Sequence, residues 1–294
     1  MERVKTQAVY APKRKKKKLD GKTLLFRVIR DLIIIIFLIL NLFPLIWILM
    51  SSFKTNREIL DFALSLPSTF SFNNYVRVFQ EPGMLESFLN SVVATGLSVV
   101  LNALVCYLAA YTMSRYRFKF LKVLSLLLSF GLLIPINSAL LPIKLVMDHL
   151  TFSNSVLGLG VLYGALQIPM SVLILQSHIS GIPRAVDEAA EIDGASPLRI
   201  AFGVVAPIAK PGIVTIVILQ AVFSWNEFLF SMTLISDQSK KTIQLIIRNF
   251  LGVFQSNYGA LFASVILAII PMVTVFVIFQ NKVIEAFTSG SVKQ

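Results

Sequence analysis

The acidic side chains of this sequence gather most densely between Gly181 and Lys210, where Asp187, Glu188, Glu191 and Asp193 follow one another closely. Such carboxylates offer anionic partners for arginine or lysine. Catalytic or metal chemistry has no comparable grouping. There is no Gly-x-x-x-x-Gly-Lys-Ser/Thr loop to cradle phosphates, no His-Glu-x-x-His pair and no nucleophile-elbow serine. His149 and His178 are isolated and read as interfacial residues. Cys106, the single cysteine, forms no intrachain disulfide, and no Cys/His set has metal-ligand spacing. No catalytic residue and no metal site is assigned, and any nucleotide must be bound by another chain.

The elements that position the acidic segment follow from hydropathy. Of 294 residues, 56% are hydrophobic and only 14% charged, against about 25% charged in soluble domains. So few charges cannot cover a water-soluble surface of this size, and the bilayer is the expected solvent. The net charge of +12 is concentrated at the start. Arg3, Lys5, Lys13, Arg14, Lys15, Lys16, Lys17, Lys18 and Lys22 face only Glu2 and Asp20 before an apolar run begins. That block reads as a cytoplasmic tail (residues 1–24) held near anionic lipid, ahead of a membrane domain over 25–294. Without interleaved aromatics it makes a poor nucleic-acid patch.

A hydrocarbon core about 30 Å thick needs about 20 helical residues. Six runs qualify, near Val28–Met50, Phe88–Met113, Leu121–Met147, Ser155–Gln176, Ile213–Leu234 and Ala260–Val283. The first is too long for a signal-peptide core and counts as a span. Pro44, Pro135, Pro142, Pro169 and Pro271 are expected to interrupt them, and the predicted fold is an all-α, polytopic, six-span transmembrane bundle. With the basic tail inside, Arg115, Arg117 and Lys119 mark the next cytoplasmic loop, and both termini are cytoplasmic. Two loops disobey that charge rule. Lys240, Lys241 and Arg248 fall outside, and the acidic segment falls inside.

Within the acidic segment, Pro183 suits a first helical turn and the acids suit a helix N-terminus. Gly194 supplies a left-handed stop, and Ser196 with Pro197 opens a second short helix. Composition alone favours a solvated amphipathic loop helix.

The spacing goes further. Glu188-Ala189-Ala190, three residues, Gly194, nine residues, then Val204, Val205, Ala206 and Pro207 resembles the EAA signature of membrane subunits of binding-protein-dependent ABC importers. Val204 stands for its Ile and Ala206 for its Leu. Tyr111-Thr112-Met113-Ser114-Arg115, Glu191-Ile192-Asp193-Gly194-Ala195, Trp225-Asn226-Glu227-Phe228-Leu229 and the Phe287–Lys293 end are similar to motifs of carbohydrate importers, in order. The set resembles a maltose-permease-like second membrane subunit.

That resemblance implies a cytoplasmic coupling helix pair between helices four and five, with Glu188, Ala189, Ala190, Asp193, Gly194 and Pro207 docking on an ATPase. It implies as partners two ABC ATPase subunits that bind ATP and Mg, a second permease subunit and an extracytoplasmic solute-binding protein that delivers a carbohydrate. It implies a bacterial cell membrane, with lipid around the chain and no nucleic acid. Asn102, Gln167, Gln220, Asn226 and Glu227 are polar residues in apolar runs. They are candidates for the substrate pathway, although pairing between helices is the commoner use of such groups. A secondary transporter for another small polar solute is the competing class. It would need a mid-membrane ion site and usually an inverted repeat.

Overall fold

A computed structural model describes residues 21–252 and 256–291, with side chains over 24–252 and 256–280. The basic tail, apart from its last residues, and the Val292–Gln294 end of the last motif lie outside the described residues. The helices are α1 (Gly21–Ser51), α2 (Asn56–Asp61), α3 (Asn73–Gln80), α4 (Met84–Arg115), α5 (Lys119–Gly131), α6 (Leu140–His149), α7 (Val156–Leu166), α8 (Ile168–Ser180), α9 (Ala185–Ile192), α10 (Pro197–Arg199), α11 (Ala206–Ile208), α12 (Lys210–Asn226), α13 (Leu229–Leu234), α14 (Ile243–Ile247) and α15 (Tyr258–Ser291). No strand occurs among the described residues. The chain up to Trp47 forms one compact unit and the chain from Ile48 another.

Among the described residues three helices are long and apolar enough to cross a membrane, α1, α4 and α15. Three bent pairs pass the same test together, so the count is up to six if each pair is one span. The third run is not one helix. Its two halves, α5 and the Ile136–His149 stretch, meet at 97°, because Pro135 removes an N–H and forces the residue before it out of helical geometry. The fourth run bends by 49° between α7 and α8, with Pro169 in the first turn of α8. The fifth ends at Asn226, and α13 restarts at Leu229. Pro44 and Pro271, by contrast, sit inside continuous helices. A proline costs its helix one backbone bond, and in apolar surroundings the remaining bonds hold it together.

In the second unit α4 is the axis. Ser87, Ser91, Ala94, Ser98, Asn102, Cys106 and Ala110 are all buried, at a spacing of three to four residues that makes one face. Small residues there let neighbours come close. A Cβ added to Gly160 would lie 3.0 Å from the Ala94 carbonyl oxygen, and one on Gly164 would lie 3.2 Å from that of Ser98. Asn102 Nδ2 donates to the Gly164 carbonyl at 2.9 Å, fixing the register of α7 on α4. Ser98 and Ser224 hydroxyls bond at 2.7 Å, tying in α12.

The connecting segments sort to the two ends of α4, whose 32 residues span roughly 48 Å. At its start, Asn90 Nδ2 donates to the Ser239 and Lys241 carbonyls, and Asn154 Oδ1 accepts from Asp237 N. Asn249 Nδ2 donates to Glu81 Oε1, and Asn56 Nδ2 to the Ser256 carbonyl. The loops around 52–83, 150–155 and 235–259 therefore share one end. The chain around 181–200 meets Arg115 at the other. The two segments that break the charge rule thus lie at opposite ends of α4.

The 55–72 loop is closed by polar bonds. Buried Lys54 donates its ammonium to the Phe62 and Ala63 carbonyls. Glu58 accepts from Thr55 in a capping box and from the backbone and hydroxyl of Ser68. These bonds, led by the Ser68 hydroxyl, lower the Glu58 pKa from 4.5 to about 2. Because the folded pKa is depressed, the closure is complete above the ordinary carboxylate pKa and is lost as pH falls through about 2. Protection of residues 55–72 against amide exchange, taken relative to the intrinsic rate at each pH, should hold down to about pH 4.5 and fall below it, whereas a Glu58→Gln variant should be weakly protected throughout. Separately, Gly160→Leu should cost about 1–3 kcal/mol by overpacking against α4, read as a lower thermal midpoint in detergent.

Candidate functional site

The site begins where α4 ends. Arg115 emerges from the apolar helix, and its side chain is 8% exposed. A charge so placed needs a partner. Asp187, on the inward face of α9, supplies it. Arg115 Nη2 lies 2.9 Å from Asp187 Oδ2, and Nε donates to Oδ1 at 3.1 Å. Arg115 Nη1 also donates to the Ile182 carbonyl at 3.1 Å, and Arg184 Nη2 to that of Ser114 at 3.4 Å. Two-pronged pairing of this kind fixes orientation as well as distance. Val186, Ala190 and Ala195 complete the attachment by packing on the cluster that includes Tyr107, Ile179, Ile200 and Val205.

Pro183 stands before α9 rather than in its first turn, and its carbonyl accepts from Val186 N. Asp187 and Glu188 occupy the first turn, where carboxylates complement the helix dipole. Asp193 forms the C-cap and closes the helix through its backbone N–H on the Ala189 carbonyl at 3.1 Å. Gly194 follows at φ +78°, a backbone state that costs any other residue about 1–2 kcal/mol. Its surroundings are open, so the glycine is required by the turn and not by crowding. Ser196 caps α10 by accepting from Arg199 N, with Pro197 opening the helix. The chain continues through a π-helical stretch, Ile200–Val205, and α11, which carries an exposed Pro207, then bends by 79° into α12.

The outward face of this elbow is uncommitted. Glu188, Ala189, Glu191 and Asp193 are exposed, and none of the three acids has an ion-pair partner among the described residues. Ile192 is 87% exposed and Leu198 68%. A cleft of about 210 Å³ runs beside them, lined by Tyr111, Arg115, Arg184, Asp187, Glu188 and Glu191. Small residues, free carboxylates and two apolar tips on one rigid elbow make a surface suited to another protein. Sequence reasoning missed Ile192 and Leu198, and it did not pair Arg115 with Asp187. An arginine closing an apolar span was the available signal for the pair.

The polar residues inside the bundle divide differently. Asn102 and Gln220 are buried, and both donate their amides to α7, at Gly164 and Tyr163. Gln167 stands half-buried at the α7–α8 bend. Asn226 returns its amide to the Val222 carbonyl of its own helix. Glu227 lies not along a continuous fifth helix but at its break. Oε1 accepts from Phe230 N at 2.9 Å; Oε2 accepts from Ser231 N at 3.1 Å and from the Tyr163 hydroxyl at 3.0 Å. It thus caps α13 and ties it to α7. Its neighbour Trp225 donates to the Ala268 carbonyl of α15.

The chain is similar to known proteins. Residues 103–287 match the model of the family described as binding-protein-dependent transport system inner membrane component. The chain is 34% identical over 259 residues to the multiple sugar-binding transport system permease protein MsmG of Streptococcus mutans, covering 87% of this chain and 93% of the relative. It is 30% identical over 268 residues to the diacetylchitobiose uptake system permease protein NgcG of Streptomyces coelicolor, covering 90% and 89%. A chain of a bacterial ABC transporter involved in import of the acidic polysaccharide alginate superposes with a TM-score of 0.80 at 23% identity, over 89% of this chain and 98% of that one.

Removing one member of the Arg115–Asp187 pair should cost about 3–5 kcal/mol, as for other buried pairs broken on one side. Arg115→Ala and Asp187→Ala should each expose the 181–200 segment to proteolysis in detergent. The double variant should be less damaged than the sum of the two, which a double-mutant cycle measures.

Proposed function

The chain belongs to the binding-protein-dependent transport system inner membrane component family, and we propose that the elbow at Glu188–Gly194 is where it receives the work of ATP hydrolysis. In this reading it is a transport subunit without catalysis of its own. ATP and Mg are held by two ABC ATPase subunits, and a second permease subunit completes the path. An extracytoplasmic binding protein delivers a carbohydrate, as the names of the sugar permeases it resembles suggest. The chain lies in the bacterial cell membrane with both termini and the elbow in the cytoplasm. The family assignment argues against a secondary transporter.

The observation that carries the reading is the division of labour among the acids. Asp187 is spent on Arg115, while Glu188 is held one residue away with its carboxylate free and outward. Glu188 then serves as the ionic contact for a basic residue of the ATPase, and Ala189 leaves room for close approach. Gly194 sets the angle of the elbow, Asp193 closes its first helix, and Pro207 lies where the second turns toward α12. Because Asp187 is bolted to α4, a push on α9 moves α4 and the helices packed on it as one body. Rigid-body motion of this kind is how packed helices convert a local displacement into an opened cavity.

Glu188→Ala, and Gly194→Val with its strained left-handed valine, should still insert in the membrane. Both should lose ATPase activity that responds to the loaded binding protein, together with sugar uptake. Normal uptake in both variants would sink the assignment.

A further inference from the structure

Where the third and fifth runs break, the interruptions face each other across a cavity of about 470 Å³, lined by Leu132, Ile134, Asn137, Phe223, Glu227 and Phe230 among others. We propose that this cavity is a subsite for a neutral saccharide on the path through this chain. Asn137 and Glu227 are its hydrogen-bonding groups, and Phe223 and Phe230 its apolar wall. The proposal rests on the importer reading above and adds to it a place and a charge class for the cargo.

Irregular backbone at membrane depth is tolerated where it is buried in protein or lines a water-filled space. Transporters put their cargo sites at such interruptions. Both walls of this cavity are interruptions of that kind, the 97° bend before α6 and the gap between α12 and α13. The size falls within the range of small-molecule sites, which are mostly apolar with a few placed polar groups.

Asn137 sits in the short 3-10 turn Ile136–Ala139. Its side chain is exposed and makes no hydrogen bond among the described residues, and the Leu132, Ile134, Pro135 and Ile136 side chains that line the cavity beside it carry no polar atom. An unmet carboxamide provides two donors and an acceptor. Glu227 is the complementary group. Its carboxylate is locked by the Tyr163 hydroxyl and two backbone N–H groups, yet Oε1 takes only one of those three bonds. An acceptor site on Oε1 is therefore left, already oriented. A donor–acceptor pair beside aromatic rings matches a pyranose, whose hydroxyls ring the edge while its C–H face is apolar. The helix cap explains Glu227 alone, but it explains neither the free amide of Asn137 nor the cavity between them.

Charge narrows the cargo. The lining contains one carboxylate and no Lys, Arg or His. An acidic saccharide would meet like charge with nothing to offset it, which is how a site rejects a wrong ligand of similar shape. Neutral saccharides carry no such penalty.

The test uses the complete importer, with its second permease, ATPase and binding protein, in proteoliposomes. Radiolabelled raffinose, diacetylchitobiose and arabinotriose are the neutral probes, and an alginate disaccharide the anionic one. Wild-type importer should take up at least one neutral probe in preference to the anionic one. Asn137→Ala, which removes no intramolecular bond, should reduce that uptake about five- to tenfold, the worth of one hydrogen bond. In Asn137→Cys, a methanethiosulfonate reagent should label the new thiol, Cys106 being buried, and the transported probe should slow labelling. Uptake by Asn137→Ala within twofold of wild type, labelling indifferent to the probe, or preference for the anionic probe would each overturn the subsite while leaving the importer intact. Wild-type uptake of no carbohydrate would overturn the carbohydrate reading and the subsite with it.

Discussion

A helix inside a bilayer finds no hydrophobic drive toward its neighbours, since lipid is as apolar as leucine, so close contact and internal polar bonds must hold the bundle. In this chain that burden falls on one face of α4. Serine, alanine and asparagine recur along it, and at successive levels Ser91 accepts from Ile243 N, Ser98 meets Ser224, and Asn102 reaches the Gly164 carbonyl. At the last level, beyond the apolar part, the same helix delivers Arg115 to Asp187. Placement of α7, α8, α12 and the elbow follows from bonds on this single element.

The arrangement separates two kinds of polar group that a sequence shows only as exceptions to hydrophobicity. Asn102, Gln220 and Asn226 spend their amide protons inside the protein, on backbone carbonyls. Glu188 and Asn137 spend nothing. The first kind is construction and the second is available for contact with something else. A polar group becomes a functional candidate when its bonds remain open after the helices have packed.

Most of the architecture was legible in the sequence because membrane thickness and hydropathy are strong constraints. Five of the six apolar runs fall on the three long helices and two of the bent pairs, whereas the fifth, Ile213–Leu234, covers α12 and α13 and not the third pair, which begins at Pro197. Gly194 and Ser196 were legible too, since a left-handed turn and a helix cap depend on local chemistry. The breaks were harder. Proline marks the bend at Pro135, but it also sits harmlessly inside α1 and α15, while the gap at Glu227 has no proline at all. That gap is set by a carboxylate that accepts from the next helix and from Tyr163, a partner distant in sequence. The Arg115–Asp187 pair is nonlocal as well, and Asn137 gained its interest only from what failed to bond to it.

The elbow also bears on the life of the subunit before assembly. Ile192 and Leu198 stand out from its tip, almost bare. Covered by an ATPase, they would be ordinary interface residues. On a copy made in excess of the proposed ATPase, they would leave a greasy tip exposed, the kind of surface that chaperones and membrane proteases grip. The two side chains proposed to complete the machine would then mark an orphan for disposal, and stoichiometry among the subunits could be enforced without any dedicated degradation signal.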